Sequence, residues 1–207
     1  MDRNTVIEER APEMSTNEAA MDIARRAMVD SQLRVSGVND PDIVAAFLAI
    51  RRENFVPPAR RSVAYADRAV PLENGAMLAP ALAYGQMLMA AVPAKADHVL
   101  VIGSPGTYLA ALVGKLCDHV TQCGPTDDWA AGGPYALVLI DGAIEEVPET
   151  LTAALADHGR LASGWIVRGV SRLATGRKVA GQIALTSLGE ADFAPMSAFA
   201  APRQWSF

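Results

Sequence analysis

An α/β domain built on a mainly parallel sheet is the fold class that the sequence predicts, and three observations predict it. Val99, Leu100, Val101 and Ile102 form an unbroken apolar run, as a strand buried on both faces requires. Gly103-Ser104-Pro105-Gly106 then turns the chain, and small and apolar residues continue at helical spacing to Leu116. From residue 98 onward, strand and helix signals alternate. In such a strand–turn–helix unit a ligand lies over the turn, against the free N–H groups of the helix N-terminus. A tight turn with no ligand is the plainer reading of the same stretch.

The elements follow in order. Met1 to Glu13 is polar and mixed in charge, and residues 1–14 are expected as a disordered tail, or as an extension ahead of a natural start at Met14. Ser15 and Glu18 form a capping-box pattern, so a helix is predicted through Leu33, with Met21, Ala24, Met28 and Leu33 inward and Arg25, Arg26 and Asp30 toward water. Gly37 stops it. Asn39-Asp40-Pro41 starts a second helix, with Ile43, Phe47 and Ile50 buried and Phe55-Val56-Pro57-Pro58 as its end. A loop-rich stretch from Ser62 leads to a helix from about Pro80 to Val92.

After the organising strand and its helix, His119 to Cys123 is a short strand and Ala136 to Ile140 a second buried one, closed by Asp141-Gly142. Glu145 to Ala156 is predicted as helix, Arg160 to Val167 as strand, and Gly176 to Leu188 as half of an antiparallel hairpin. Residues 15–207 are expected as a single domain, with 15–95 as cap and substrate side and 96–207 as the core.

Composition narrows the function. Of 207 residues, 51% are hydrophobic and 20% charged, which is ample for a core. A net charge of −5 argues against a grip on nucleic acid through phosphate neutralisation. With no apolar stretch of about 18 residues and a polar N-terminus, neither a membrane span nor a secretory signal is expected, and the setting is read as cytoplasmic. Cys117 and Cys123 have no ligand cluster nearby, so they are read as buried thiols and no metal site is expected. His98, His119 and His158 fall at strand edges without carboxylate or thiol companions and are read as structural.

Several segments resemble the protein-L-isoaspartate O-methyltransferase family. They are Met28-Val29-Asp30-Ser31-Gln32-Leu33-Arg34, Gly37-Val38-Asn39-Asp40-Pro41, Arg52-Glu53-Asn54-Phe55-Val56-Pro57, Ala64-Tyr65-Ala66-Asp67, Pro71-Leu72 and Asn74-Gly75. Tyr135 to Ile140, Val147-Pro148-Glu149 and His158-Gly159-Arg160-Leu161 follow in the second half, so the similarity runs in order over roughly residues 21–196. The resemblance implies a Rossmann-like methyltransferase sheet with an N-terminal helical cap. It also implies methyl transfer from S-adenosylmethionine to the α-carboxylate of an isoaspartyl residue in a protein or peptide. Gly103, Ser104, Gly106, Tyr108 and Asp141 are the cofactor-binding candidates under that implication, and the substrate segment falls on Met77, Leu78 and Ala79.

The motif positions depart from the family pattern. Its loop reads acid, Ile, Gly, x, Gly, x, Gly, Tyr, where this chain has Val101, Ile102, Gly103, Ser104, Pro105, Gly106, Thr107 and Tyr108. Proline fixes φ and removes an N–H, and threonine adds a β-branched side chain where a ligand needs close approach. The ribose-binding acid expected after the next strand is absent from Val120 to Gly124, and Asp127 and Asp128 replace it only if the loop folds back. The short stretch from Gly124 to Pro134 leaves no room for a helix and a further strand, so one α/β unit is read as deleted after residue 124. The strand 119–123 is therefore expected at an exposed sheet edge, shielded by the loop carrying Asp127, Asp128 and Trp129 or paired in a homodimer.

At the substrate segment the family's Thr-Ile-Ser has become Met77-Leu78-Ala79, which removes a hydroxyl donor. Asp141 is the one carboxylate left near the expected cleft, with an Asp-Gly turn as its plainer role. Three readings follow. The first is a family-like protein with weak or lost S-adenosylmethionine binding, acting in binding or assembly. The second is an active isoaspartyl methyltransferase that uses S-adenosylmethionine. The third is a domain whose cleft takes another small ligand.

Overall fold

A computed structural model describes residues 16–202, so the expected tail and the Ser15 cap lie outside the described residues. The helices are α1 (Thr16–Met28), α2 (Pro41–Ala49), α3 (Ala81–Ala91), α4 (Tyr108–Leu116) and α5 (Glu149–Ala154). The strands are β1 (Val70–Pro71), β2 (Met77–Leu78), β3 (His98–Ile102), β4 (His119–Cys123), β5 (Tyr135–Ile144), β6 (Leu155–Val167), β7 (Val170–Val179) and β8 (Gln182–Glu190).

The apolar run at 99–102 does form a strand covered on both faces. In β3 the side chains alternate: Val99 and Val101 join Leu137 and Leu139 in one core, and Leu100 and Ile102 join Val138 and Ile140 in another. The sheet order is β4-β3-β5-β6-β7-β8. Strands β4, β3, β5 and β6 run parallel, and β7 and β8 continue antiparallel. Helices α2, α3 and α4 and the N-terminal cap cover the first face. The second face is covered more thinly, by α5, Trp129 and Phe199.

The cap helices follow their sequence signals. Asp40 caps α2 by accepting from the N–H groups of Asp42 and Ile43, each at 3.0 Å, with Pro41 in the first turn. After α1 a widened turn over Val29–Leu33 and a tight one over Arg34–Ser36 carry the chain to Gly37, so the segment is helical through Leu33 as the spacing predicts. Met28, Leu33, Ile43 and Phe47 are buried, and Ile50 is half-buried.

Other expectations need correction. Arg25 is 9% exposed rather than water-facing, because it pairs with Asp22 at 2.5 Å across one helical turn and lays its stem on the cap. Helix α2 ends at Ala49, and Arg52–Phe55 is a separate tight turn that buries Arg52 and Glu53. The helix expected from Glu145 to Ala156 shortens to Glu149–Ala154, because β5 continues through Ile144 and β6 begins at Leu155. Asp141-Gly142 is consequently not a turn but the interior of a strand. The Gly176–Leu188 stretch is not half of a hairpin; it spans the turn between β7 and β8.

The connection from β4 to β5 holds one short turn, Trp129–Gly132, and no further strand. Among the described residues β4 is therefore an edge strand, as the missing unit predicts, with His119 and Gln122 exposed. Trp129 of that loop enters the second core, donates through Nε1 to the Gly124 carbonyl at 3.0 Å, and stacks on Phe199 with ring centroids 5.5 Å apart. The C-terminal segment is thereby fixed across the carboxyl end of β5: Ala143 N–H donates to Ala194 O at 2.8 Å, and Met196 N–H to Ala143 O at 2.9 Å. His98 has a structural setting, packed on Tyr135 and within 3.3 Å of the Thr121 hydroxyl, whereas His119 and His158 are exposed.

Candidate functional site

At the carboxyl ends of β3 and β5 a cleft of about 490 Å³ opens between the β3–α4 turn, the β2 segment and the C-terminal segment 194–198. Gly103 is required where the turn begins, since a Cβ there would sit 3.0 Å from Asp141 Cβ and 3.2 Å from Thr107 Cγ2. Gly106 takes the left-handed conformation, φ +71°, and its N–H donates to Gln122 Oε1 at 3.0 Å. Thr107 caps α4 by accepting from Ala110 N–H at 3.1 Å. The Gly106 N–H is thus engaged by a side chain and the Gly103 N–H by the Cys123 carbonyl at 3.0 Å, and Pro105 contributes none.

Beneath the turn lies a buried polar and aromatic cluster. Tyr108 is fully buried and meets the rings of Phe47, Phe55 and Tyr84 edge-on, at centroid distances of 6.0, 5.3 and 5.8 Å. The Arg52 guanidinium lies 5.1 Å above the Tyr108 ring. It donates from Nε to Ala64 O at 2.7 Å and from Nη2 to Ala79 O at 2.6 Å. Tyr84 links this cluster to the cleft, accepting from Ala79 N–H at 3.2 Å and donating to Asp141 Oδ1 at 2.7 Å.

Asp141 is half-buried, and desolvation pushes its carboxyl up to about 6, against the hydroxyls of Tyr84 and Thr107 and the charge of Arg52, which favour the anion. Burial also raises the Tyr84 hydroxyl well above its usual value. Because the folded-state value of Asp141 exceeds the unfolded one, the native state holds the proton more tightly. This group therefore lowers stability as pH rises from about 4 to about 6 and keeps that cost above. Asp141→Asn should be closest to the parent in stability below pH about 4, gain on it between about 4 and 6, and hold that gain at higher pH. Thermal melts across that range check this; a gap that stays constant with pH would refute the assignment.

The structure brings Gly103, Ser104, Gly106, Tyr108 and Asp141 to one cleft and places Met77 and Leu78 on its opposite wall. Ala79 lies buried behind them, with both of its backbone polar groups engaged by Tyr84 and Arg52. Asp127 and Asp128 do not reach the cleft lining. Asp127 Oδ2 accepts from Gly124 N–H at 2.6 Å and Asp128 Oδ1 from Ala130 N–H at 3.1 Å, so each serves its own turn. Val101 is buried in the core.

Sequence reasoning missed Arg52 and Tyr84 as members of the site, and missed Gln122 and Met196. Arg52 stands among Arg51, Glu53 and Asn54, so no local signal marks it as interior. No local signal marks Met196, which reaches the cleft only through the tertiary path of the C-terminal segment. Among the described residues no group of three His, Cys, Asp or Glu side chains is placed to hold a metal ion.

A mainly parallel sheet with a helical cap and a cleft over the first strand–turn–helix unit defines a Rossmann-like methyltransferase domain. The family model described as protein-L-isoaspartate(D-aspartate) O-methyltransferase matches residues 24–125. The protein-L-isoaspartate O-methyltransferase of Koribacter versatilis (strain Ellin345) is 30% identical over 204 residues, covering 86% of this chain and 91% of the relative. That of Rhodopseudomonas palustris (strain ATCC BAA-98 / CGA009) is 29% identical over 193 residues, covering 80% and 85%. This chain belongs to the protein-L-isoaspartate O-methyltransferase family.

Solved structures agree in fold. One protein-L-isoaspartate O-methyltransferase superposes with a TM-score of 0.71 at 20% identity, over 85% of this chain and 67% of that one. A Plasmodium falciparum protein described as a beta-aspartate methyltransferase, solved in complex with S-adenosyl-L-homocysteine, gives 0.67 at 15% identity, over 84% and 98%. The family match ends at Pro125, in the loop that follows β4 and holds one short turn before β5.

Proposed function

We propose that this chain keeps the family fold while binding S-adenosylmethionine weakly or not at all, and that it acts as a binding or assembly protein rather than in methyl transfer. The observation that carries this reading is the Gly106–Gln122 bond: the turn N–H nearest the α4 N-terminus is engaged by a side chain from the position where the ribose acid is expected. The surrounding residues support it. Among the described residues no carboxylate lines the cleft from the ends of β3 or β4 and Asp141 on β5 is the only charged lining residue, while Pro105 has no N–H. The residues present therefore do not fit that cofactor.

The alternative is an active isoaspartyl methyltransferase of protein repair, favoured by the name of the relative from Koribacter versatilis. Transfer of labelled methyl groups from S-adenosylmethionine to an isoaspartyl peptide separates the two. No incorporation above the protein-free rate is expected, and turnover that depends on the isoaspartyl linkage would overturn the proposal.

The partner proposed is a second copy of the chain, joined through the open edge of β4, whose outer backbone groups have no pairing strand among the described residues. Sedimentation velocity should report a dimer; a monomer at all concentrations would contradict it. No helix among the described residues is long and apolar enough to cross a membrane. A cytoplasmic setting is proposed with this reading, in keeping with the unbridged Cys117 and Cys123, whose thiols burial pushes up.

A further inference from the structure

The cleft has a charge pattern that the missing cofactor contacts leave unused. Among the described residues Asp141 is its only charged lining residue; the rest of the wall is mostly apolar, with Phe55, Leu72, Met77 and Met196 contributing the larger side chains. The Asp141 carboxylate is met by neutral hydroxyls, from Tyr84 at 2.7 Å and from Thr107, and by no direct ion pair. The nearest guanidinium, that of Arg52, is committed to the carbonyls of Ala64 and Ala79 and stacked on Tyr108. A carboxylate accepts about four hydrogen bonds, so with two hydroxyl donors it keeps capacity toward the cleft. A half-buried anion facing apolar walls gains most from a desolvated cationic partner. The half-buried ring of Phe55 in the cleft wall adds a surface on which an organic cation rests favourably.

We propose that this cleft binds a small organic cation, an amine carried on an aromatic or aliphatic body, with Asp141 as its counter-ion. The ammonium group donates to Asp141, and the apolar body fills the space between Phe55, Met77 and Met196. The groups facing Asp141 are Tyr84 from α3, Thr107 from the turn and Arg52 behind them, and none changes charge between pH about 5 and 8 at its usual value. Binding is therefore governed by Asp141 itself: it is full above pH about 6 and weakens as the carboxylate is protonated below.

The proposal rests on the reading that S-adenosylmethionine does not occupy the cleft. Its test is a titration of the isotope-labelled full chain with benzylamine, followed by amide chemical shifts, beside benzyl alcohol and benzoate as neutral and anionic controls. Benzylamine should shift the amides of Gly103, Gly106 and Asp141 saturably, and the two controls should not. Asp141→Asn should weaken benzylamine binding about tenfold or more, as expected for loss of a charge-assisted bond. Lowering the pH of the unaltered protein below about 6 should do the same, which gives a readout independent of the variant's folding.

Unshifted cleft amides, equal binding of benzyl alcohol, or unchanged affinity in Asp141→Asn would each overturn the proposal. S-adenosylhomocysteine titrated in the same way separates the two ideas. Its binding would overturn the cofactor reading, whereas failure of benzylamine alone would overturn only the cation site.

Discussion

Replacing Phe47 by alanine should cost about 3–5 kcal/mol of unfolding free energy, near the upper end for a single side chain. Phe47 has no exposed surface and stands where α2 of the cap meets α4 of the core, its ring 6.0 Å from that of Tyr108. Truncation removes the transfer free energy of a full aromatic ring and leaves a void between two helices that are both anchored elsewhere. Asp40 caps α2 at its start, and α4 is tied to β3 by the turn at Gly103–Gly106, so neither can move in to fill the space. Equilibrium urea unfolding measures the loss. A change below about 1 kcal/mol would show that cap and core do not share this interface.

Arg52→Ala should be comparably damaging, by about 3–5 kcal/mol, for a different reason. The guanidinium has no exposed surface, and it supplies the hydrogen bonds for two buried carbonyls, Ala64 O and Ala79 O, that belong to different parts of the cap. Its removal leaves both carbonyls without a donor and withdraws the plate that covers Tyr108. Desolvation already holds the Arg52 guanidinium below its usual value, so its retention reflects this bridging. Arg52→Lys should recover only part of the loss, because an ammonium is a point donor and cannot span both carbonyls as the planar fork does. Full recovery of stability by lysine in urea unfolding would refute the two-carbonyl account.

Both expectations concern residues that differ in how plainly the sequence shows them. Phe47 is legible: Asp40-Pro41 fixes where α2 begins, and the spacing to Ile43 and Phe47 places both on one face. The same holds for β3, whose unbroken apolar run has no amphipathic alternative, and for β4 as an edge strand, which follows from the short connection to β5. Arg52 reads in sequence as an ordinary surface charge, and only the convergence of Ala64, Ala79 and Tyr108 makes it interior. Arg25 misleads in the same way, since its pairing with Asp22 permits burial that composition argues against.

The site was legible as a place and less so as a set of contacts. Gly103, Gly106 and Tyr108 mark the cleft from their positions in the strand–turn–helix unit. Asp141 was found as a carboxylate but misplaced as a turn residue. Asp-Gly is a local turn signal, and here the non-local β5–β6 pairing on either side, at Leu139 and Ala143, carries the strand through it as an irregularity in register. Gln122 and Met196 depend on which strand ends and which late segment come together at the cleft mouth, information that no short window contains. The engagement of Gly106 N–H by Gln122 is the contact on which the cofactor argument turns, and it lies across two strands.

The most direct measurement of that argument is thermal unfolding of the chain with S-adenosylmethionine and S-adenosylhomocysteine in large excess. A ligand bound only by the folded state and present at about a hundredfold over its Kd adds about 2.7 kcal/mol, enough to move the midpoint by several degrees. With the turn donor engaged by Gln122, no N–H at Pro105 and no carboxylate from β3 or β4 in the cleft, the midpoint should not move with either ligand. A saturable rise of several degrees with either would contradict the account and return this chain to the cofactor-binding members of its family.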